Sequence, residues 1–430
     1  MRKLLTLVLA VFATTARGQD CSTLGQNQTT YQTLKDWYYW YRNLPSVSAA
    51  TFADPEALLD AVRYRPLDTT FSYISSAASS QAFYGDSQYL GFGFSMKFLP
   101  GNELRVTDVF PGSPAGDAGF DRGSEIVSLN SKSVLQTIAD GEWSTIWGGE
   151  EPGYSVTVGF KTRDGDSRTA RIAKRVVTIP TVPLVSVQEA GGRKTGYIVF
   201  KNFVEPSYAA LDAAFAQIGA AGATELVLDL RYNGGGLIAV AQHLAGLIGG
   251  DKTSGEVFAQ YVHSDKQSGR NNAIRFPRPA SALSLKRLVV ITTKSSASAS
   301  ELVINALRPF IPVTIVGDNS YGKPVGQYGF QICEKILWAV SFSIKNSAGQ
   351  GDYFNGFAPD CRADDDIAHA LGDPTETSLA TALSFVATGA CPAAPASASS
   401  LAKGQVLVPD AGMRVQPHRE NGWQALRVAY

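Results

Sequence analysis

Glu225-Leu226-Val227-Leu228-Asp229-Leu230-Arg231-Tyr232-Asn233-Gly234-Gly235-Gly236 is an apolar run of strand length that ends in a glycine-rich turn. Runs without polar alternation are buried on both faces, as in a parallel sheet covered by helices. The surrounding segments agree. Residues 196–200 predict a strand, 208–218 a helix, 287–292 a second buried strand, 299–310 a helix and 313–316 a third strand. Strands alternating with helices imply a largely parallel sheet whose sites gather at the carboxyl ends of the strands. We therefore expect an α/β domain over residues 179–395.

Upstream the pattern changes twice. Residues 87–178 read as short strands and Gly/Pro turns. Residues 19–86 read as short helices, with Tyr31, Leu34, Tyr38 and Tyr41 at helical spacing. Asp54-Pro55-Glu56 is a helix start, with Asp as N-cap and Pro at the first helical position. At the N-terminus, Arg2 and Lys3 precede a ten-residue apolar stretch and then Ala16-Arg17-Gly18, the layout of a signal peptide cleaved after Gly18. An exported protein, periplasmic or secreted, is expected. Gln19 and Asp20 stand where a lipobox before Cys21 would need small or apolar residues. Residues 396–430 form a linker and tail, with short apolar runs at 405–408 and 425–429 that read as strands and carry no evident function.

Composition excludes several classes. Lys+Arg and Asp+Glu both number 38, so nothing directs the chain to nucleic acid or an anionic membrane. Beyond the first twenty residues no apolar run approaches the ~18 residues of a membrane span. The four cysteines, Cys21, Cys333, Cys361 and Cys391, suit disulfides in an exported chain. Three pairings are open. One of them, Cys333–Cys361 with Cys21–Cys391, closes a short loop and ties the two ends together. No cysteine or histidine spacing fits a metal site, and no cofactor is expected. His243, His263, His369 and His418 lie in no suggestive setting, and Asp364-Asp365-Asp366 reads as a solvated acidic face. Gly317-Asp318-Asn319-Ser320-Tyr321-Gly322-Lys323 mimics a phosphate loop, but Pro324 replaces the Ser/Thr that would hold magnesium.

Chemistry then rests on Ser296-Ala297-Ser298-Ala299-Ser300-Glu301, between a buried strand and a helix. A serine at a helix N-terminus has backbone N–H groups beside it that stabilise an oxyanion. The same residues also spell a capping box, Ser298-x-x-Glu301. The residues alone leave both readings open, and they do not choose among the three serines. Lys323 lies one helix and one strand further on, at a distance in sequence that can return it to the same helix terminus.

DLRYNGGG (229–236), SASASE (296–301) and SYGKPVGQ (320–327), in this order, resemble the carboxyl-terminal processing (tail-specific) serine peptidases. The Gly-rich Leu90-Gly91-Phe92-Gly93-Phe94, with Pro111-Gly112-Ser113-Pro114-Ala115 and the run to Asn130, resembles a PDZ domain, the module that family carries. Ser124 stands where that module usually has Asp. The resemblance implies a crotonase/ClpP-like peptidase core, Ser298 as nucleophile, Lys323 as general base and Gln327 as its support. It implies Gly235, Gly236 and Ala299 as oxyanion donors, and residues 90–94 as the loop that captures a free C-terminus, the expected partners being protein or peptide tails. A lysine base must be neutral, and burial lowers its pKa without a carboxylate to restore it. The alternative is a PDZ-containing binding or scaffold protein with a minor or inactive catalytic site.

Overall fold

The computed structural model describes residues 19–393. The expected signal peptide, the apolar runs at 405–408 and 425–429, and His418 lie outside the described residues. None of the described helices is long and apolar enough to cross a membrane.

The glycine-ended run is the centre of the larger sheet, as its composition requires. Strands Leu184–Ala190, Arg193–Val199, Glu225–Asp229, Leu288–Thr292, Val313–Gly317 and Cys361–Arg362 lie side by side in that order. The first pair is antiparallel and the rest are parallel. Alternate residues face opposite layers, which is why the strands are apolar throughout. Leu226, Leu228 and Val290 meet helices Ser207–Ala220, Ile238–Gly249 and Ala299–Leu307 through Phe215, Leu244 and Leu302. Val227, Val289 and Ile291 meet helix Thr377–Thr388 through Leu379, Ala382 and Val386 on the other side.

A second sheet corrects the expected boundary near residue 86. Tyr73–Ser76, within the region read as helical, is a strand paired with Lys335–Lys345. That long strand also pairs with Val325–Ile332 and Val257–His263, so the N-terminal region is built into the α/β half. Helix Thr23–Trp37 stops before Tyr38 and Tyr41, a shorter helix than the aromatic spacing suggests. Its aromatic face still serves packing: Leu34 and Tyr38 are buried with Val325, Phe330 and Leu337. Helix Pro55–Val62 begins as read, the Asp54 side chain accepting from the Ala57 N–H at 2.7 Å.

Residues 88–178 form a β-rich unit. Strand Gln88–Gly91 pairs with Arg175–Thr178 at its base. The sheet runs Phe94–Phe98, Leu104–Val109, Glu125–Leu129, Ser155–Lys161, Ser167–Ala173, with Lys132–Ser133 beside the third strand. Ser124 closes its turn by hydroxyl: the Asp121 N–H donates to its Oγ, which donates to Asp121 Oδ1.

The cysteines pair as Cys21–Cys333 and Cys361–Cys391, and not as Cys333–Cys361 with Cys21–Cys391. Cys333 sits at the tip of the hairpin between Ile332 and Lys335, where the N-terminal segment arrives and Gln19 Oε1 accepts its N–H. Cys361 begins the last strand of the large sheet, and Cys391 follows the helix that covers it.

Of Asp364-Asp365-Asp366 only Asp364 is an exposed, solvated residue. Asp365 ion-pairs with Lys97 and Arg122 of the β-rich unit and with Arg231, and accepts from the Tyr232 hydroxyl. Burial pushes its carboxyl up, but Lys97, Arg122 and Arg231 outweigh that and hold it well below the ordinary range. Nearby, Lys201 reaches across to Asp108 at 2.7 Å, with both side chains buried. Removing one partner of a buried pair strands a charge, whereas replacing both with apolar groups does not. Lys201→Ala should therefore lower stability by about 3–5 kcal/mol, and Lys201→Met with Asp108→Leu should recover most of it. Denaturant unfolding of the three variants against the parent measures both effects.

Candidate active site

The buried strand Leu288–Thr292 delivers the serine cluster to the edge of the sheet, where helix Ala299–Leu307 begins. The three serines part company here. Ser296 and Ser300 are fully buried, their hydroxyls donating to Leu230 O at 2.7 Å and Asn233 O at 2.9 Å. Both are staples to the glycine turn. Ser298 is half-buried and lines a cleft of about 270 Å³. Its backbone has φ 56° and ψ −112°, a left-handed setting that costs an L-residue on the order of 1–3 kcal/mol unless neighbours hold it.

Glu301 does the holding. The half of the capping box in which Glu301 accepts the Ser298 N–H is formed, at 2.9 Å. The same fully buried carboxylate accepts the Lys323 N–H at 2.8 Å, the Gly322 N–H at 2.7 Å and the Ser320 hydroxyl at 2.6 Å. Burial pushes this carboxyl above its ordinary value, opposed by these donors. The phosphate-loop look of 317–323 thus has an internal explanation, since N–H groups of that turn already cradle an anion. The sequence offered Glu301 only as a cap; that it spans both motifs requires the fold.

Lys323 lines the same cleft, returned to the Ser298 terminus by strand Val313–Gly317. Its ammonium donates to Gln327 Oε1. Gln327 cannot flip, because its Nε2 donates to Phe71 O at 2.6 Å and Trp338 O at 3.0 Å. The Lys323 Nζ also lies 5.7 Å from the centre of the Phe71 ring. Burial brings the Lys323 pKa down to about 8, against the opposing pull of Asp68 and Glu301. Asp68 is screened by its own donors, the Tyr38 hydroxyl and the Ser72 N–H and hydroxyl.

Of the three expected oxyanion donors, Gly236 and Ala299 line the cleft with Ser298. Gly235 needs correcting. Its N–H already donates to Asn233 Oδ1 at 2.9 Å. It must be glycine because φ is +99° and a Cβ would stand 2.8 Å from Ala297 O and 2.9 Å from Ala299 N. Its role is close approach to the Ser298 turn. Apolar side chains, Leu302, Val325 and Phe342 among them, complete the cleft.

The loop 90–94 lies apart from this cleft. Leu90 and Gly91 are strand residues paired with Val176 and Arg175. Phe92 and Phe94 pack into the core of the β-rich unit, with Trp147 6.1 and 6.0 Å away, so they do not form an open wall. Gly93 has φ +88°, and a Cβ there would lie 2.0 Å from the Ser113 Cβ. Its absence of side chain serves the turn, not room for a peptide. The described histidines stay outside the cleft: His243 meets Asp212, His369 meets Asp366, and His263 meets Asn271 and the Tyr328 hydroxyl. Among the described residues no acidic, His or Cys cluster could hold a metal ion.

Comparison with known proteins bears on this arrangement. Residues 194–362 match the model of peptidase family S41, and residues 25–73 match that of the peptidase S41 N-terminal domain. The chain is similar to the chloroplastic C-terminal processing peptidase of Tetradesmus obliquus, at 25% identity over 62% of this chain and 58% of that one. It is also similar to the carboxyl-terminal-processing protease of Synechocystis sp., at 24% identity over 63% of this chain and 61% of that one. The chain thus spans about 60% of the length of these curated relatives. A crystal structure of a Bacteroides fragilis protein assigned to the S41 proteases superposes with a TM-score of 0.66, at 25% identity, over 84% of this chain and 97% of that one. With the glycine, serine and lysine turns all inside the matched residues, the chain belongs to peptidase family S41.

Proposed function

We propose that this chain is an exported serine endopeptidase that captures protein C-termini with its β-rich, PDZ-like unit and cleaves with a Ser298–Lys323 dyad. The observation that carries the reading is the convergence of Ser298, Lys323 and Gln327 on one cleft, with the lysine at about 8. Two disulfides among the described residues support an oxidising compartment.

The chemistry follows from the geometry. Neutral Lys323 takes the proton of the Ser298 hydroxyl as Oγ attacks the scissile carbonyl. Negative charge develops on the carbonyl oxygen, beside the N–H groups of Gly236 and Ala299 and the positive end of helix Ala299–Leu307. The Lys323 ammonium returns the proton to the leaving amine, and the acyl-enzyme forms. Water, deprotonated by Lys323, then releases the acyl group and restores Ser298. Gln327 orients the amine without adding charge, and Glu301 fixes the backbones of both dyad members.

Ser298→Ala and Lys323→Ala should each lower kcat by ~10⁴-fold or more with unchanged circular dichroism. Lys323→Ala retaining near-parental turnover would send the search for a base elsewhere.

The base works only when neutral, so activity is present above its pKa and lost as pH falls through it. The kcat/KM profile should rise tenfold per unit below about 8 and level off above it. Gln327→Glu puts a carboxylate on the ammonium and should move that rise upward by about one unit or more. A profile whose midpoint stays fixed in this variant would separate Gln327 from the titrating group.

Amidating the C-terminus of a protein substrate removes the charge that the β-rich unit would hold. It should reduce kcat/KM by about 1–3 kcal/mol in transition-state terms, with little change for short peptides. Equal values for free and amidated tails would reduce this unit to a spacer.

A further inference from the structure

A second cavity, of about 600 Å³, opens directly upstream of Ser298 and plays no part in the chemistry above. One wall is the edge strand Phe94–Phe98, represented by Ser95, Met96 and Lys97. Among the described residues this strand is bonded on one side only, to Leu104–Val109. The opposite wall is made by carboxyl ends of the parallel sheet, Thr293–Ser295, Gly317–Asp318 and residues 362–365, the crevice where such sheets hold ligands.

We infer that this cavity is a second subsite for the substrate tail, reading the penultimate side chain and favouring uncharged hydrogen-bonding groups. The inference rests on the proposed capture of tails by the β-rich unit.

Alternation along a strand decides which side chains arrive there. Phe94 and Phe98 pack against the core of their own unit, and Met96 between them packs there while also bordering the cavity. Lys97 turns the other way and pairs with Asp365 of the catalytic half. A tail that adds to this edge takes on the same alternation. If the last residue sits on the Phe94 side, the next one inward falls on the Ser95 and Lys97 side, over the cavity.

The lining sets the preference. Thr107, Thr293 and Thr381 bring hydroxyls to it, while that of Thr377 is donated to Asp366 Oδ2 at 3.1 Å. Lys97 and Asp365 neutralise each other, and Arg362 leans on Asp318 at 3.7 Å. Lys294 and Asp364 also line the cavity, and neither side chain has an ion-pair partner among the described residues. An apolar side chain would strip water from both of these charges. A charged one would meet one attractive and one repulsive partner. An amide, donor and acceptor at once, satisfies both.

The test uses the full chain carrying Ser298→Ala and fluorescent ten-residue peptides with free carboxyl ends, identical except at one position. Fluorescence anisotropy gives Kd. Leu in place of Gln at the penultimate position should raise Kd about tenfold, and the same exchange one residue further inward should change it less than about twofold. Adding Lys294→Ala with Asp364→Ala should bring the penultimate ratio below twofold. The same pair of substitutions in the Ser298 chain should leave turnover of a short peptide lacking the tail unchanged. Tails that bind but show no penultimate preference would overturn this inference and leave tail capture intact. Failure of every free-carboxyl peptide to bind would overturn both.

Discussion

One buried carboxylate organises the site. Glu301 has no contact with water, yet it accepts from the backbone of Ser298 and from the backbones of Gly322 and Lys323. These residues belong to different turns, separated by a helix and a strand, and no covalent feature sets their distance. A carboxylate with four donors does so, the donors offsetting part of the cost of burying its charge. The strained backbone of Ser298 is tolerable for the same reason: its N–H has a fixed acceptor, and the staples from Ser296 and Ser300 hold both sides.

Around that anchor the structure divides its labour. The glycine turn after Asp229 and the serine turn after Thr292 are fastened to each other by serine hydroxyls, so Ser298 and the N–H groups beside it share one rigid edge. Lysine and glutamine sit on a different sheet, on strand Val325–Ile332 and the turn before it. The base thus approaches from a second layer, whose far side is covered by the N-terminal helices. Burial from that side, not a neighbouring cation, is the main cause of the lowered lysine.

Much of this was legible in the sequence. The apolar runs at 225–230 and 288–292 could only be central strands, and the order of motifs named the family. Ser298, Lys323 and Gln327, the residues that resemblance singled out, line one cleft. What failed were features fixed by contacts distant in sequence. Cysteine pairing depends on which loops lie together, and the order of cysteines along the chain carries no such information. Gly235 looked like a donor because glycine marks both free N–H groups and close backbone approach, and only the partner atom, Asn233 Oδ1, separates them. Asp365 looked solvated because an acidic run usually is, while Lys97, Arg122 and Arg231 come from three remote segments. The strand Tyr73–Ser76 was hidden by serines and by its brevity, and its partner lies far along the chain.

The amide of Gln327 is oriented by the carbonyl of Phe71, 256 residues earlier, and the lysine rests near the ring of that same residue. Lys323 and Gln327 thus take part of their setting from a segment far upstream in the sequence. Under the proposed mechanism, the orientation of the general base therefore depends on docking of the segment that carries Phe71 against the strand that follows Lys323.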